Sequence, residues 1–272
     1  LVTGASSGFG ESIARAAVDA GDTVIGTSRS PERLAALADA HPGRFVALEL
    51  DVLRASSFEH AQEVVDGVVA EHGRLDVLVN NAGRTQVGAL EETTEEELRR
   101  LFELHFFGPA ALTRAALPHF RRQGGGTVVQ MSSVGGQVTV PGFGVYCATK
   151  FALEGLTETL VDEVPGVRFV IVEPGAFRTG LFDASAAVVS RPMAEYADTV
   201  GPVREYVTTG GGTQPGDPAK AAAAIHRAVT DDDAPTRLVL GPDAHASIEE
   251  RLGRLRAELA RWESVARSTD RD

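Results

Sequence analysis

Residues 3–10 read TGASSGFG, directly after the apolar start Leu1-Val2 and before a stretch that sets Ile13, Ala14 and Val18 at helical spacing. A strand, a glycine-rich turn and a helix in that order open a nucleotide-binding βαβ unit, because amides at the helix start face anionic oxygens. Gly4 permits the turn, Gly8 lets backbone approach a pyrophosphate, and Gly10 allows close helix packing. Ser6, Ser7 and Phe9 lie in the same loop and join the candidate nucleotide contacts. An ordinary Gly/Ser turn has the same glycines, so the weight of the reading rests on the flanking strand and helix.

Outward from this loop, apolar runs near 1–3, 23–27, 45–49, 75–79, 127–131, 168–172 and 237–240 alternate with Ala/Arg/Glu-rich stretches near 10–20, 31–39, 56–71, 95–121, 144–163 and 218–229. The alternation predicts an α/β fold: a doubly wound parallel seven-stranded sheet, Rossmann-like, with helices on both faces. Strand order 3-2-1-4-5-6-7 puts the ligand crevice at the carboxyl ends of strands 1 and 4, where the order reverses. The whole chain, 1–272, reads as one such domain with two additions. Residues 177–217 are longer than a βα connection needs and read as a substrate lid. Residues 244–265 carry Ile248, Leu252, Leu255, Leu259 and Trp262 at helical spacing, predicting an amphipathic C-terminal helix docked on its own domain or on a partner subunit. The opening LVTG is short for a first strand, so residues before Leu1 are expected.

Composition narrows the function. With 26 basic against 38 acidic residues the net charge is −12, without a basic block, which speaks against nucleic acid as the main partner. The single cysteine, Cys147, makes no intramolecular disulfide and points to a reducing compartment; with no long apolar run or export signal, a cytoplasmic protein without a membrane anchor is expected. The scattered histidines show no metal-ligand spacing, so no metal is expected. Glu91, Glu92, Glu95, Glu96 and Glu97 read as a solvated helix start.

After the second strand, TSRSPERL offers Ser28 and Arg29 where a carboxylate would accept the ribose hydroxyls of NAD. A guanidinium there suits a 2′-phosphate, which favours NADP(H), with NAD(H) possible; Arg29 as a solvated helix-start arginine is the other reading. Asp51, followed by Val52, is placed to accept from adenine or to serve the N-cap region of the next helix. Asn80, Ala82 and Gly83 of NNAG end the fourth strand at the crevice.

YCATK sets Tyr146 and Lys150 one helical turn apart, on one face. A phenol near pKa 10 works as an acid or base at neutral pH only where a neighbour favours phenolate, and an ammonium at that distance does so. Only two lysines, Lys150 and Lys220, occur in a chain otherwise using arginine, so Lys150 stands out as a compact charge. A weak contact on an exposed helix is the competing reading of the pair. Ser133, after the fifth strand, could donate to a substrate oxygen.

The set Gly4-x3-Gly8-x-Gly10, Asn80-Asn81-Ala82-Gly83, Ser133, Tyr146-x3-Lys150 and Pro174-Gly175 resembles the short-chain dehydrogenase/reductase family in its single-domain form, over nearly the whole chain. The resemblance implies hydride transfer between nicotinamide and an alcohol or carbonyl carbon of a small molecule. Tyr146 would be the acid/base, Ser133 would polarise the oxygen, and Lys150 would lower the tyrosine pKa and hold ribose. It also implies that VEPGAFRT lies beside the nicotinamide, with Pro174, Gly175, Phe177 and Thr179 near the cofactor. A homodimer or homotetramer through the long helices 95–121 and 144–163 is implied as well. The chain departs from the family pattern at His105, where an asparagine usually supports a lysine-linked water. Its imidazole could join that relay or simply pack among Phe102, Phe106 and Phe107. Substrate choice is assigned to Arg84, to 134–143 and to the lid, where Phe143, Phe177, Phe182 and Met193 suggest an apolar pocket. A nucleotide sensor or scaffold, and an epimerase or dehydratase using the cofactor transiently, are the alternative functions.

Overall fold

The computed structural model describes residues 1–182 and 187–271, without the Phe182 side chain. Residues 183–186 of the expected lid, and Asp272, lie outside that description.

The central layer is a parallel sheet whose strands are rich in β-branched residues and covered on both faces, as buried parallel strands require. Strand β1 (Val24–Ser28) pairs with β2 (Phe45–Glu49). On the other side β3 (Val77–Asn80), β4 (Gly126–Met131), β5 (Val167–Pro174) and β6 (Arg237–Leu240) follow in order. The opening segment joins the halves. Val2 bridges both Gly26 and Val79, with Val2 N–H on Ile25 O at 2.9 Å and Val79 N–H on Leu1 O at 2.8 Å. Counting that segment, the order along the sheet is the expected 3-2-1-4-5-6-7.

Helices α1 (Gly8–Asp19) and α8 (Pro218–Thr230) cover one face, packing Ile13, Val18 and Ile225 on Val129 and Val170. Helices α3 (Phe58–His72) and α5 (Gly108–Gln123) cover the other, packing Val65, Leu112, Ala116 and Phe120 on Leu78 and Val128. Local signals set their ends: Ser57 caps α3, whose C-terminal Gly73 has φ +81°. Asp217 caps α8 through the amides of Ala219 and Lys220. Helix α6 (Gly144–Glu163) carries the Tyr/Lys pair.

Several expectations change. Residues 31–39 form a short 3-10 turn leading into α2 (Ala35–Ala40). The predicted helix 95–121 is three pieces: α4 (Glu95–Phe102), one π-helical turn over Glu103–Phe107, and α5. Pro118 lies inside α5 without ending it. The lid segment holds α7 (Ala197–Thr209) and a two-residue strand, Val188–Val189, paired with Gln86–Val87.

The acidic run is not uniformly solvated. Glu92 has no exposed side-chain surface and accepts from the amides of Ala89 and Met193, both at 2.7 Å, and from Arg204 of α7 at 2.6 Å. Burial pushes its pKa up, but the two amides and the guanidinium outweigh this and hold it below the usual carboxylate value. Tyr196 donates to Glu91, and Ser190 to Glu97 at 3.2 Å, so three carboxylates moor the lid segment.

The C-terminal helix, α9 (Pro242–Arg267), is longer than expected and docked only at its start. Ala244 and Ile248 are buried, whereas every described residue from Leu252 onward is exposed.

Candidate active site

The carboxyl ends of the opening segment, β3, β4 and β5 border a cleft of about 910 Å³. The loop from β1 contributes Ser28 and Arg29; the loop after β2 contributes Asp51 and Val52; the start of α6 brings Phe143, Tyr146 and Lys150. The glycine loop supplies Gly4, Ser6, Ser7, Gly8 and Phe9. Gly4 at φ +66° and Gly8 at φ +58° take left-handed conformations that favour glycine. Gly10 faces away from the cleft: a Cβ there would collide with Gly4 O and the Asn81 side chain, which is the close helix packing expected of it.

NNAG divides its labour differently from the expectation. Asn80 is buried below the cleft, its amide donating to Thr113 Oγ1 at 3.1 Å and Gln130 Oε1 at 3.0 Å, so its assignment as a cofactor contact is corrected to a brace between β3, β4 and α5. Asn81 instead lines the cleft and donates to Thr3 O at 2.8 Å, tying the glycine loop in place, while Thr3 Oγ1 accepts from the amides of Asn81 and Ala82. Ala82 and Gly83 line the cleft.

At the far end Ser28 donates to Ser6 Oγ at 3.2 Å, joining the loop after β1 to the glycine loop. Arg29 is exposed at the rim and forms no ion pair with a described residue. Asp51 Oδ1 accepts from the Leu53 amide at 3.1 Å, leaving its carboxylate partly free in the cleft. Residues fit a dinucleotide here: a left-handed glycine loop opening a helix, and an unpaired guanidinium one strand away.

Ser133, Tyr146 and Lys150 converge at the other end. Ser133 accepts from the Gly135 amide at 3.0 Å and lines the cleft beside Tyr146. Burial pushes the phenol up to about 12, against the nearby Ser133 hydroxyl, which lowers it. Lys150 is buried, with Nζ 5.7 Å from the Tyr146 ring centroid and donating to Met131 O at 2.8 Å. Burial brings its pKa down to about 8, opposed by Glu154 one turn along α6. At neutral pH the site therefore holds a protonated phenol beside a cation.

Glu154 was not legible as a site residue. It accepts from Ser132, the neighbour of Ser133, and pairs with Arg237 of β6 at 2.5 Å; Arg237 also pairs with Glu173, which precedes Pro174. The only signal was its place four residues after Lys150.

His105 sits in the π-turn, buried, its ring edge-on to Tyr146 with centroids 5.5 Å apart. Nε2 accepts from the Arg84 amide at 3.2 Å, so Nδ1 carries the hydrogen and donates to Thr149 Oγ1 at 3.0 Å. Thr149 in turn donates to Tyr146 O at 2.7 Å. Burial, then the charges of Lys150 and Arg84, hold the imidazole neutral. Both nitrogens are engaged and neither meets Lys150: of the two expectations, relay or packing, these contacts are those of a packed clamp.

Pro174, Gly175, Phe177 and Thr179 all line the cleft. Asp243, at the start of α9, accepts from the Ala176 amide at 2.7 Å and packs so closely on Gly175 that a Cβ would not fit. Sequence reasoning missed it, since a distant Asp carries no motif. Val134, Val138, Val140 and Phe143 form the substrate-side wall, with Leu181, Val188 and Tyr206 from the lid segment. Of the expected apolar lining, Phe143 and Phe177 are present. Met193 is not: it is partly exposed and its amide serves Glu92. Phe182's side chain lies outside the description.

Comparison with known proteins agrees with this fold. The family model described as short chain dehydrogenase matches residues 1–188. A 3-ketodihydrosphingosine reductase of Bacteroides thetaiotaomicron is 36% identical over 246 residues, covering 89% of this chain and 87% of the relative. The crystal structure of a short-chain dehydrogenase from Streptomyces avermitilis superposes with a TM-score of 0.91 at 56% identity, covering 99% of this chain and 97% of that one. An alcohol dehydrogenase from the archaeon Thermococcus sibiricus, complexed with 5-hydroxy-NADP, gives a TM-score of 0.70 at 28% identity, covering 88% and 94%.

Proposed function

The chain belongs to the short-chain dehydrogenase/reductase family and is an NAD(P)-dependent oxidoreductase of small carbonyl or alcohol compounds, and on that premise we propose that it is an NADPH-dependent reductase of a hydrophobic ketone. One observation carries the acid role: Tyr146, a protonated phenol, stands beside Lys150 and Ser133 at the substrate end of the cleft.

When bound, the nicotinamide supplies the hydride. Ser133 and Tyr146 bind the carbonyl oxygen and align it. Tyr146 gives its proton to that oxygen as negative charge develops there, and Ser133 steadies the charge from a fixed position, lowering the barrier. Lys150, kept in place by Met131 O, opposes the charge left on the phenolate. In this reading the loop Gly4, Ser6, Ser7, Gly8 and Phe9 takes the pyrophosphate, Asp51 and Val52 the adenine side, and Pro174, Gly175, Phe177 and Thr179 the nicotinamide side.

The preference for NADP rests on Ser28 and the unpaired Arg29 at the rim. The hydrophobic substrate rests on the wall of Val134, Val138, Val140 and Phe143, facing a lid made from 177–217. 3-Ketodihydrosphingosine, the compound in the Bacteroides relative's name, belongs first in the panel. One domain over 1–272, a cytoplasmic site and a homodimer or homotetramer through α4, α5 and α6 complete the proposal; among the described residues no helix is long and apolar enough to cross a membrane.

The test is NADPH and NADH oxidation over a panel of hydrophobic ketones. Turnover favouring NADPH and lost in Tyr146→Phe is expected. Undiminished turnover in that variant refutes the acid role, and preference for NADH refutes the Arg29 reading.

A further inference from the structure

Helix α9 is 26 residues long, about 39 Å at 1.5 Å per residue, yet it contacts its own domain only through its first turns. Beyond Arg251, whose guanidinium lies 5.5 Å from the Phe151 ring of α6, it overhangs. Leu252, Leu255, Leu259 and Trp262 are 50%, 38%, 75% and 58% exposed. Their spacing from Ile248 alternates four and three residues and continues to Ala266, the a/d repeat of a coiled coil. A stretch this short is marginal as an isolated helix in water, and an exposed apolar seam of this kind marks a contact surface.

The flanking charges identify the occupant. Arg251 and Glu258 fall at g positions, Arg256 and Glu263 at e positions. A parallel pairing of two copies sets Arg251 against Arg256 and Glu258 against Glu263, which repel. An antiparallel pairing with Leu259 opposite the second copy's Trp262 brings Leu255 to Ala266 and sets Arg256 against Glu263, twice by two-fold symmetry. A lipid surface fits less well, because residues 249–267 interleave four glutamates with five arginines instead of presenting a basic polar face.

We propose that the overhanging half of α9, from Leu252 to Ala266, is a self-association surface that pairs antiparallel with the same segment of a second copy. The pairing is separate from any contact through α4, α5 or α6 and does not depend on the catalytic reading.

Trp262 is the only tryptophan in the chain, so emission reports the seam directly. Dilution of the intact protein should shift the emission maximum to the red as Trp262 returns to water; a maximum fixed at the solvent-exposed position at all concentrations overturns the proposal. In sedimentation velocity, the triple variant Leu252→Glu, Leu255→Glu, Leu259→Glu should halve the mass of the wild-type particle, and an unchanged mass refutes the pairing. Charge reversal tests direction. Arg256→Glu should raise the dissociation constant about tenfold and addition of Glu263→Arg should restore it; tighter association of Arg256→Glu alone would show parallel pairing and overturn the assignment. Flotation of the protein with phosphatidylcholine/phosphatidylglycerol vesicles, lost in the triple variant, would overturn it in favour of a lipid surface.

Discussion

Replacing Glu92 by glutamine should free the lid segment while leaving the sheet intact. The carboxylate has no exposed side-chain surface and serves three donors: the Ala89 amide, the Met193 amide and Arg204, whose side chain is 14% exposed. Glutamine is nearly isosteric and keeps one carbonyl acceptor, so the main loss is the charge opposite Arg204. A fully buried pair broken on one side costs about 3–5 kcal/mol, and an exposed pair about 0–1 kcal/mol. With one partner covered and the other touching water, about 2 kcal/mol is the reasonable value, which is roughly a 30-fold change in a local opening equilibrium. Hydrogen-exchange mass spectrometry of the intact protein reads this directly. Peptides covering 193–209 should exchange about 30-fold faster, while those of β4 and β5 keep wild-type protection. If exchange over 193–209 is unchanged, Glu92 does not moor the segment. If all peptides accelerate together, the residue supports the whole domain and the idea of a local latch fails.

Tyr146→Phe should lower kcat by about 10²–10⁴-fold with nucleotide affinity retained, checked by stopped-flow turnover and fluorescence titration; preserved turnover refutes the proton donor. Arg29→Ala should weaken NADPH by about 10–100-fold, the worth of one or two charged hydrogen bonds, and NADH much less, in paired titrations. Equal losses would place Arg29 outside the phosphate site. The pH profile of reduction should fall as Lys150 loses its proton through about 8, and Glu154→Gln, which removes the carboxylate that raises that pKa, should move this limb to lower pH. An unmoved limb would separate Glu154 from the lysine. His105→Phe should slow turnover by disordering the Arg84 and Thr149 contacts without changing the shape of the pH profile; a changed shape would restore the relay.

What was legible in the sequence was local chemistry with a fixed spacing. The glycine loop, the four-residue step from Tyr146 to Lys150 and the alternation of β-branched runs with helices each announce themselves within a few residues. Asn80 and Asn81 show the limit. They are identical in type and adjacent, and only the pleat decides that one points into the core and the other into the cleft. Glu92 looked like its neighbours because solvation at a helix start depends on what folds over it, here α7, more than a hundred residues downstream. Asp243 and Glu154 act through Ala176, Ser132 and Arg237, contacts made across the sheet that no periodicity encodes. The amphipathic pattern of α9 was plain, but a pattern cannot say whether its apolar stripe is covered.

The bonds from Asn81 and Thr3 that fix the glycine loop bear on the kinetics of binding. A loop already stiffened by the neighbouring strand loses little freedom when it receives a ligand, whereas the wall made by 187–209 is held by one two-residue strand pairing, a small apolar cluster around Val200 and Val207, and contacts to three carboxylates. One half of the cleft is therefore built into the sheet, and the other is joined to it by far fewer bonds. Such an asymmetry favours compulsory-order turnover, with the dinucleotide first on and last off, and the carbonyl compound exchanging through the softer side while the dinucleotide stays seated.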